Sequence, residues 1–226
     1  MKASLEKKKH TIKSSTLYEN ISSTLQPHKL SKIRCVALGS PSQEEPALYQ
    51  LALLLIIVEE NSIESQNVSL YDPVFTPLDI DFFKSLNFEV SEDYLPKDDE
   101  ATLFFLPHAP LNLTNSVILS QNPKLLLSNN IQTHTERLTK LELFEKYPIM
   151  SKLVNLLQPQ GDKTDGFEAV VKKKSRKSQR NKFVEPTIDY SKIDSYFENI
   201  EIISFKDFEE GEWLNSFTDL AFHRIS

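Results

Sequence analysis

Ser31–Val58, SKIRCVALGSPSQEEPALYQLALLLIIV, reads as a buried strand, a sharp turn and a buried helix. Ile33, Cys35, Val36, Ala37 and Leu38 form an apolar run without strict alternation, the pattern of a strand covered on both faces. Gly39 ends the run, because glycine tolerates backbone angles and close approaches that a side chain forbids. Ser42 and Glu45 are spaced as an S-x-x-E capping box for the following helix, and Pro46 fits only in a first turn. From Ala47 to Val58 that helix is apolar on nearly every side, with Tyr49 and Gln50 as the polar exceptions. Such a helix packs deeply, each large side chain contributing roughly 1.5 to 3 kcal/mol by burial.

Strand, turn and helix recur outward from this anchor. Val68–Tyr71 reads as a second strand stopped by Asp72 and Pro73. Thr76 is placed to cap a helix that starts at Pro77, with Leu78, Phe82 and Leu86 along one face. Phe88–Val90 is a short third strand. After the acidic turn 97–100, Ala101–Leu106 is an uninterrupted apolar run and hence a central strand, ended by Pro107 and His108. A helix over Leu111–Ser120 and a strand over Lys124–Leu127 follow. Residues 136–157 carry helical periodicity with a break at Pro148. Ile200–Phe205 and Leu220–Ile225 read as late strands flanking a turn and short helix around Gly211, Trp213 and Phe217. Residues 1–30, rich in Ser, Thr and Lys, read as an N-terminal extension holding an amphipathic helix, and 31–226 as the domain.

Strand-to-helix alternation with short connections predicts an α/β fold: a three-layer Rossmann-like sandwich, mostly parallel, with an antiparallel C-terminal edge. Within it, 158–186 reads as a disordered basic insertion. Seven Lys or Arg fall between Lys172 and Lys182, which suits a nuclear-localisation or nucleic-acid patch or simply a solvated loop.

The chain has 226 residues and a net charge of -6, which argues against general nucleic-acid affinity outside that basic run. Its single cysteine, Cys35, falls in the first strand, so a reducing compartment and a structural thiol are expected. No apolar segment follows Lys7–Lys9, so neither a secretory signal nor a membrane span is expected. The expected location is the cytoplasm, with the nucleus as a second compartment.

Ligands of open α/β sheets bind beyond the carboxyl ends of the strands. The polar residues at those ends are Gly39 and Ser40 after the first strand, Asp72 after the second, His108 after the fourth, and Asn129 and Asn130 after the fifth. With Gln50 they form the candidate ligand-binding set. Each also has a plainer role. Gly39 can serve a tight turn, and Asp72 an Asx-turn before Pro73 or a hydrogen bond to a ribose. His108 is a candidate general acid or base, or a histidine fixed by a backbone hydrogen bond. No G-x-G-x-x-G fingerprint, P-loop, nucleophile elbow or metal-ligand spacing is present, so no cofactor or metal is assigned.

Four segments in this order, CVALGSPSQEEPALYQLALLL, YDPVFTPLDIDFFKSLNFEV, LFFLPHAPLNL and LLLSNNIQTH, resemble the SRR-like (Sensitivity to Red Light Reduced) domain, and the closing SFTDLAFHRI resembles its final segment. The likeness covers Ile33–Asn130 and, more loosely, the last strand. Ala109 stands where the family often has cysteine, and Thr218-Asp219 where it often has Asn-Asp. The resemblance implies a regulatory protein. Plant relatives act in light signalling and the clock, animal relatives in clock and haem-biosynthesis regulation, and fungal relatives in microtubule function. The basic insertion and compact size resemble a fungal member, which implies a microtubule-related or stress-regulatory role.

Two functions are therefore expected to compete. One is a regulatory domain that binds a small ligand or protein partner without chemistry. The other is a methyltransferase-like enzyme using a nucleotide-containing cofactor, with Asp72 on its ribose and Gly39 beside it.

Overall fold

A computed structural model describes residues 2–94, 101–158, 187–205, 212–213 and 215–226. The basic run Lys172–Lys182, the acidic turn 97–100 and Gly211 lie outside the described residues. In chain order the elements are α1 (Lys2–Lys13), α2 (Thr16–Leu25), β1 (Lys32–Val36), α3 (Glu45–Glu60), β2 (Val68–Tyr71), α4 (Pro77–Ser85) and β3 (Glu89–Val90). There follow β4 (Thr102–Leu106), α5 (Leu111–Gln121), β5 (Leu125–Asn129), α6 (Ile131–Thr135), α7 (Lys140–Lys146), α8 (Pro148–Leu157), β6 (Ile200–Ser204) and β7 (Leu220–Ile225).

The seven strands make one mixed sheet in the order β3-β2-β1-β4-β5-β7-β6. β1 pairs in parallel with both β2 and β4, and β4 with β5. β7 runs antiparallel to β5 and to β6, which makes the expected antiparallel edge. The chain thus builds outward from β1 to β3, then crosses to β4 on the other side of β1. The order reverses between β1 and β4, where the two loops leaving the carboxyl ends diverge and leave room for a ligand.

Helices cover both faces of the sheet. Leu103 and Phe105 of β4 enter one apolar cluster with Ile33, Cys35 and the buried face of α3. Phe104 and Leu106 enter a second, with Leu126, Ile118 of α5 and Leu153 of α8. This two-sided burial is what an uninterrupted apolar strand requires. Between Ala47 and Val58 of α3 only Leu55 is less than fully buried, as its apolar circumference demands.

Residues 2–25 supply two helices where a single amphipathic one was expected. Leu5, Ile12, Leu17 and Ile21 are buried in the same cluster as α3. Lys8 is buried beside them, paired with Glu45, its ammonium 4.1 Å from the centroid of the Tyr49 ring.

Three local expectations are corrected. Ser42 and Glu45 do not form a capping box. The N-cap of α3 is Glu44, without a side-chain cap bond, because Ser42 and Glu45 are engaged elsewhere, Glu45 by Lys8. Leu78 is 61 % exposed, so α4 buries Asp79, Phe82 and Phe83 instead. Trp213 and Phe217 are buried, but in turns rather than a short helix. The capping of α4 by Thr76 is as expected and is completed by Asp79 as a full capping box.

Directly after β1 the backbone turns left-handed at Ala37, with φ of 58°. A Cβ there costs about 1 kcal/mol relative to glycine. Ala37→Gly should raise stability by about 0.5 to 1 kcal/mol in denaturant unfolding. A fall would mean that the packing of the Ala37 methyl against the second cluster outweighs the strain.

Candidate functional site

The turn between β1 and α3 is held from beneath by two carboxylates. The Gly39 N–H donates to Asp72 Oδ2 at 2.8 Å, and the other oxygen of Asp72 accepts the Val74 N–H at 3.0 Å. Asp72 therefore makes an Asx-turn and also ties the end of β2 to the loop after β1. Gly39 has φ of +76°, and a Cβ there would lie 3.1 Å from both Ala47 Cβ and Glu44 Oε2. Only glycine lets the loop pass this close to the start of α3.

Asp79 is the second hub. It is 1 % exposed and accepts from Ser40 Oγ at 2.6 Å, the Ser42 N–H at 2.9 Å, the Thr76 N–H at 2.9 Å and the Thr76 hydroxyl at 2.8 Å. Burial raises its pKa, but the hydrogen bonds from Ser40, Thr76 and Ser42 more than offset that, and the net shift is downward. Ser40 is thus turned inward. The Gln43 and Glu44 N–H groups close the turn on the Ser40 carbonyl at 3.1 and 2.9 Å.

At the end of β4, His108 is exposed and makes no hydrogen bond with the described residues. Desolvation lowers its pKa, Glu44 pulls it up and His134 pushes it down, with a net downward shift that favours the neutral imidazole. His134, on α6, is also shifted down, by desolvation first and by Arg137, against the pull of Asp219. Glu44, His108, His134 and Asp219 are therefore electrostatic neighbours across the ends of β1, β4, β5 and β7.

Asn129 lies at the end of β5, buried, its Nδ2 donating to the Ala109 carbonyl at 3.4 Å while its Oδ1 has no partner among the described residues. Asn130 caps α6, accepting from the Gln132 and Thr133 N–H groups, and donates to Ser204 Oγ at 2.8 Å. Gln50 is fully buried, and its Nε2 donates to the Ser216 carbonyl at 2.9 Å. It fastens the turn before β7 onto α3, and its Oε1 has no partner among the described residues.

The structure thus joins Gly39 to Asp72 directly, and places Asn129 against the residue after His108. It ties Ser40 to Asp79, Asn130 to α6 and Gln50 to the 216–220 turn. A groove of about 600 Å³ lies elsewhere, between α2 and the end of α3, lined by Tyr18, Ser22 and Asn61 among others. Among the described residues no group of three or more His, Cys, Asp or Glu could hold a metal ion, and no helix is long and apolar enough to cross a membrane.

Three structural residues were not singled out by sequence reasoning. Asp79 shows only a helix-start signal. Arg34, inside the apolar first run, is 1 % exposed; it donates to Ser69 Oγ at 2.6 Å and to the Ser91 and Glu92 carbonyls at 2.9 and 3.0 Å, clasping 91–94 to the sheet. His223, which lacked any ligand-like spacing, is fully buried in β7, accepting the Ile131 N–H at Nε2 and facing the Leu126 carbonyl with Nδ1.

The family model for the SRR1 domain matches residues 2–224. The chain belongs to the SRR1 domain family. A mouse SRR1-like protein is 28% identical over 132 residues, which cover 54% of this chain and 53% of the mouse protein. The chain thus spans about half the length of this curated relative. No solved structure matches. In this SRR1 domain the family-like segments noted in the sequence fall on β1 with α3, β2 with α4, β4 with α5, and β5 with α6, so they surround the carboxyl ends of the parallel strands. Membership suggests a regulatory protein.

Proposed function

We propose that this SRR1 domain is a regulatory binding module of Rossmann-like kind, which holds a small ligand or a protein partner at the carboxyl ends of β1, β4 and β5. The observation that carries this reading is His108: exposed, without a hydrogen bond to the described residues, and electrostatically coupled to Glu44 and His134 beside the point where strand order reverses. A histidine with only a packing role is held as His223 is, by backbone partners on both ring nitrogens. The unpartnered Asn129 Oδ1 supports the same place. The biological setting follows the family resemblance: regulation of clock, haem, stress or microtubule-related processes, in the cytoplasm and also the nucleus, with the basic run Lys172–Lys182 as the address or nucleic-acid contact.

An enzymatic alternative is a methyltransferase-like reaction with a nucleotide-containing cofactor, which the strand order β3-β2-β1-β4-β5 favours. Gly39 and Asp72 would flank that cofactor, although Asp72 already accepts two backbone N–H groups. Native mass spectrometry of the protein purified from its own cells tests the binding reading. The wild type should retain a mass that Asn129→Leu loses. Identical spectra for the two proteins would contradict it, and turnover of S-adenosylmethionine would favour the enzyme.

A further inference from the structure

We propose that the opposite end of the sheet, at the amino ends of β4 and β5, carries a pocket for the phosphate group of a small phosphate monoester. The pocket has a volume of about 320 Å³ and opens beside the 3-10 turn Gln26–His28, next to Ala101 and Ser226. His28, Lys29, Lys124 and Arg224 line it, which gathers positive charge at one place in a chain of net charge -6. Backbone bonds hold the walls together. The Ser31 and Lys32 N–H groups donate to the Ala101 carbonyl at 3.0 and 3.4 Å, and the Ile225 N–H donates to the Lys124 carbonyl at 2.9 Å. Residues two apart on a strand share a face, so Arg224 stands on the same side of β7 as Phe222, whose ring centroid lies 5.0 Å from that of His28.

Three of these groups are uncommitted. The His28 ring nitrogens, the Lys29 ammonium and the Arg224 guanidinium make no hydrogen bond or ion pair with the described residues. Lys124 has a partner of its own and adds its charge alone. The opposing charge on the sheet is Glu201, which stands across from Arg224 in the β6–β7 register and is felt by His28. Asp98, Asp99 and Glu100 precede Ala101 directly in the sequence and add further negative charge that a ligand must outcompete. The Ser226 oxygen is taken up by the Glu198 and Asn199 N–H groups at 2.8 and 2.7 Å. Desolvation and then Arg224 lower the pKa of His28, against the pull of Glu201, so an anion here would compensate a group that burial and a neighbouring cation discourage from charging. A phosphate monoester offers three terminal oxygens and about two negative charges near neutral pH, enough for a guanidinium, an ammonium and an imidazole together. A carboxylate, with two oxygens and one charge, leaves part of that set unmatched. The volume is at the small end for ligand pockets, which suits a phosphate on a body of a few carbons.

The test is a nuclear magnetic resonance titration of the full chain with inorganic phosphate, glycerol 3-phosphate, glycerol and acetate at constant ionic strength, following the imidazole signals of its five histidines. The two phosphates should move the His28 signal saturably and raise the pH midpoint of its titration, while glycerol and acetate leave both in place. Arg224→Gln and Lys29→Gln, at exposed positions, should keep the wild-type melting temperature and weaken glycerol 3-phosphate by at least about fivefold each, as loss of a charge-assisted contact requires. Glu201→Gln should tighten it. A His28 signal that phosphate does not move, equal binding of acetate, or wild-type affinity in Arg224→Gln would overturn the proposal. So would a response to phosphate at His108 or His134 without one at His28, which would put the anion site at the carboxyl ends of the strands.

Discussion

Asp79→Ala is expected to lower unfolding stability by about 3 to 5 kcal/mol, because it removes the acceptor on which four donors from two segments converge. The lost bonds are charge-assisted and buried, and the Ser40 hydroxyl and the Ser42 N–H would be left without their acceptor. Asp79→Asn should lose less, since its amide oxygen still accepts. The carboxyl is held below its ordinary value in the folded protein, so its contribution is complete above the unfolded pKa of 3.8 and fades as pH falls through the lower folded value. A urea titration at pH 7 checks this, and a loss below about 1 kcal/mol would show that Asp79 does not organise the β1–α3 turn.

The second large effect is acid sensitivity through His223. Burial drives its pKa down from 6.5 to about 4, against the raising effect of the Leu126 carbonyl. Its Nε2 must remain an acceptor for the Ile131 N–H, and protonation would set donor against donor. The sign follows from the depressed folded value: the stabilising term is whole above pH 6.5 and is lost as pH falls toward 4. The lower limit of that window corresponds to about 3 kcal/mol, and the loss at pH 5 to about 2 kcal/mol. His28, His108 and His134 are also shifted down and add slope of the same sign. His223→Leu isolates the buried one. Its stability should fall less between pH 7 and pH 5 than that of the wild type, and an unchanged slope would place the sensitivity elsewhere.

Much of the architecture was legible in the sequence because apolar runs bounded by Gly, Pro, Asp and Asn state where buried strands end. Leu103–Leu106 and Leu125–Leu127 are unbroken apolar runs, and both lie inside the sheet. What escaped depends on neighbours distant in sequence. Ser42 and Glu45 have capping-box spacing, but Asp79, 37 residues beyond Ser42, and Lys8 compete for them. Leu78 fits a four-residue stripe, yet α4 turns Asp79, Phe82 and Phe83 to the core and leaves Leu78 at the surface. Lys8 disguises the buried face of α1, because a lysine can lay its stem on apolar surface and end at a carboxylate.

The candidate site was legible only as a list of polar strand ends. Gly39, Asp72, Ser40 and Asn130 bond within the turns and caps that hold these ends in place, whereas His108 and the Asn129 oxygen lack such bonds. No spacing rule separates the two groups, since the difference lies in which hydrogen bonds the fold has already made.

The most direct measurement is complementation of cells lacking this chain by His108→Ala, with the amount of folded protein matched to the wild type. His108 is exposed and bonds to none of the described residues, so its unfolding midpoint should be unchanged. The account predicts a folded protein that fails to restore the phenotype; full rescue by the folded variant would contradict it.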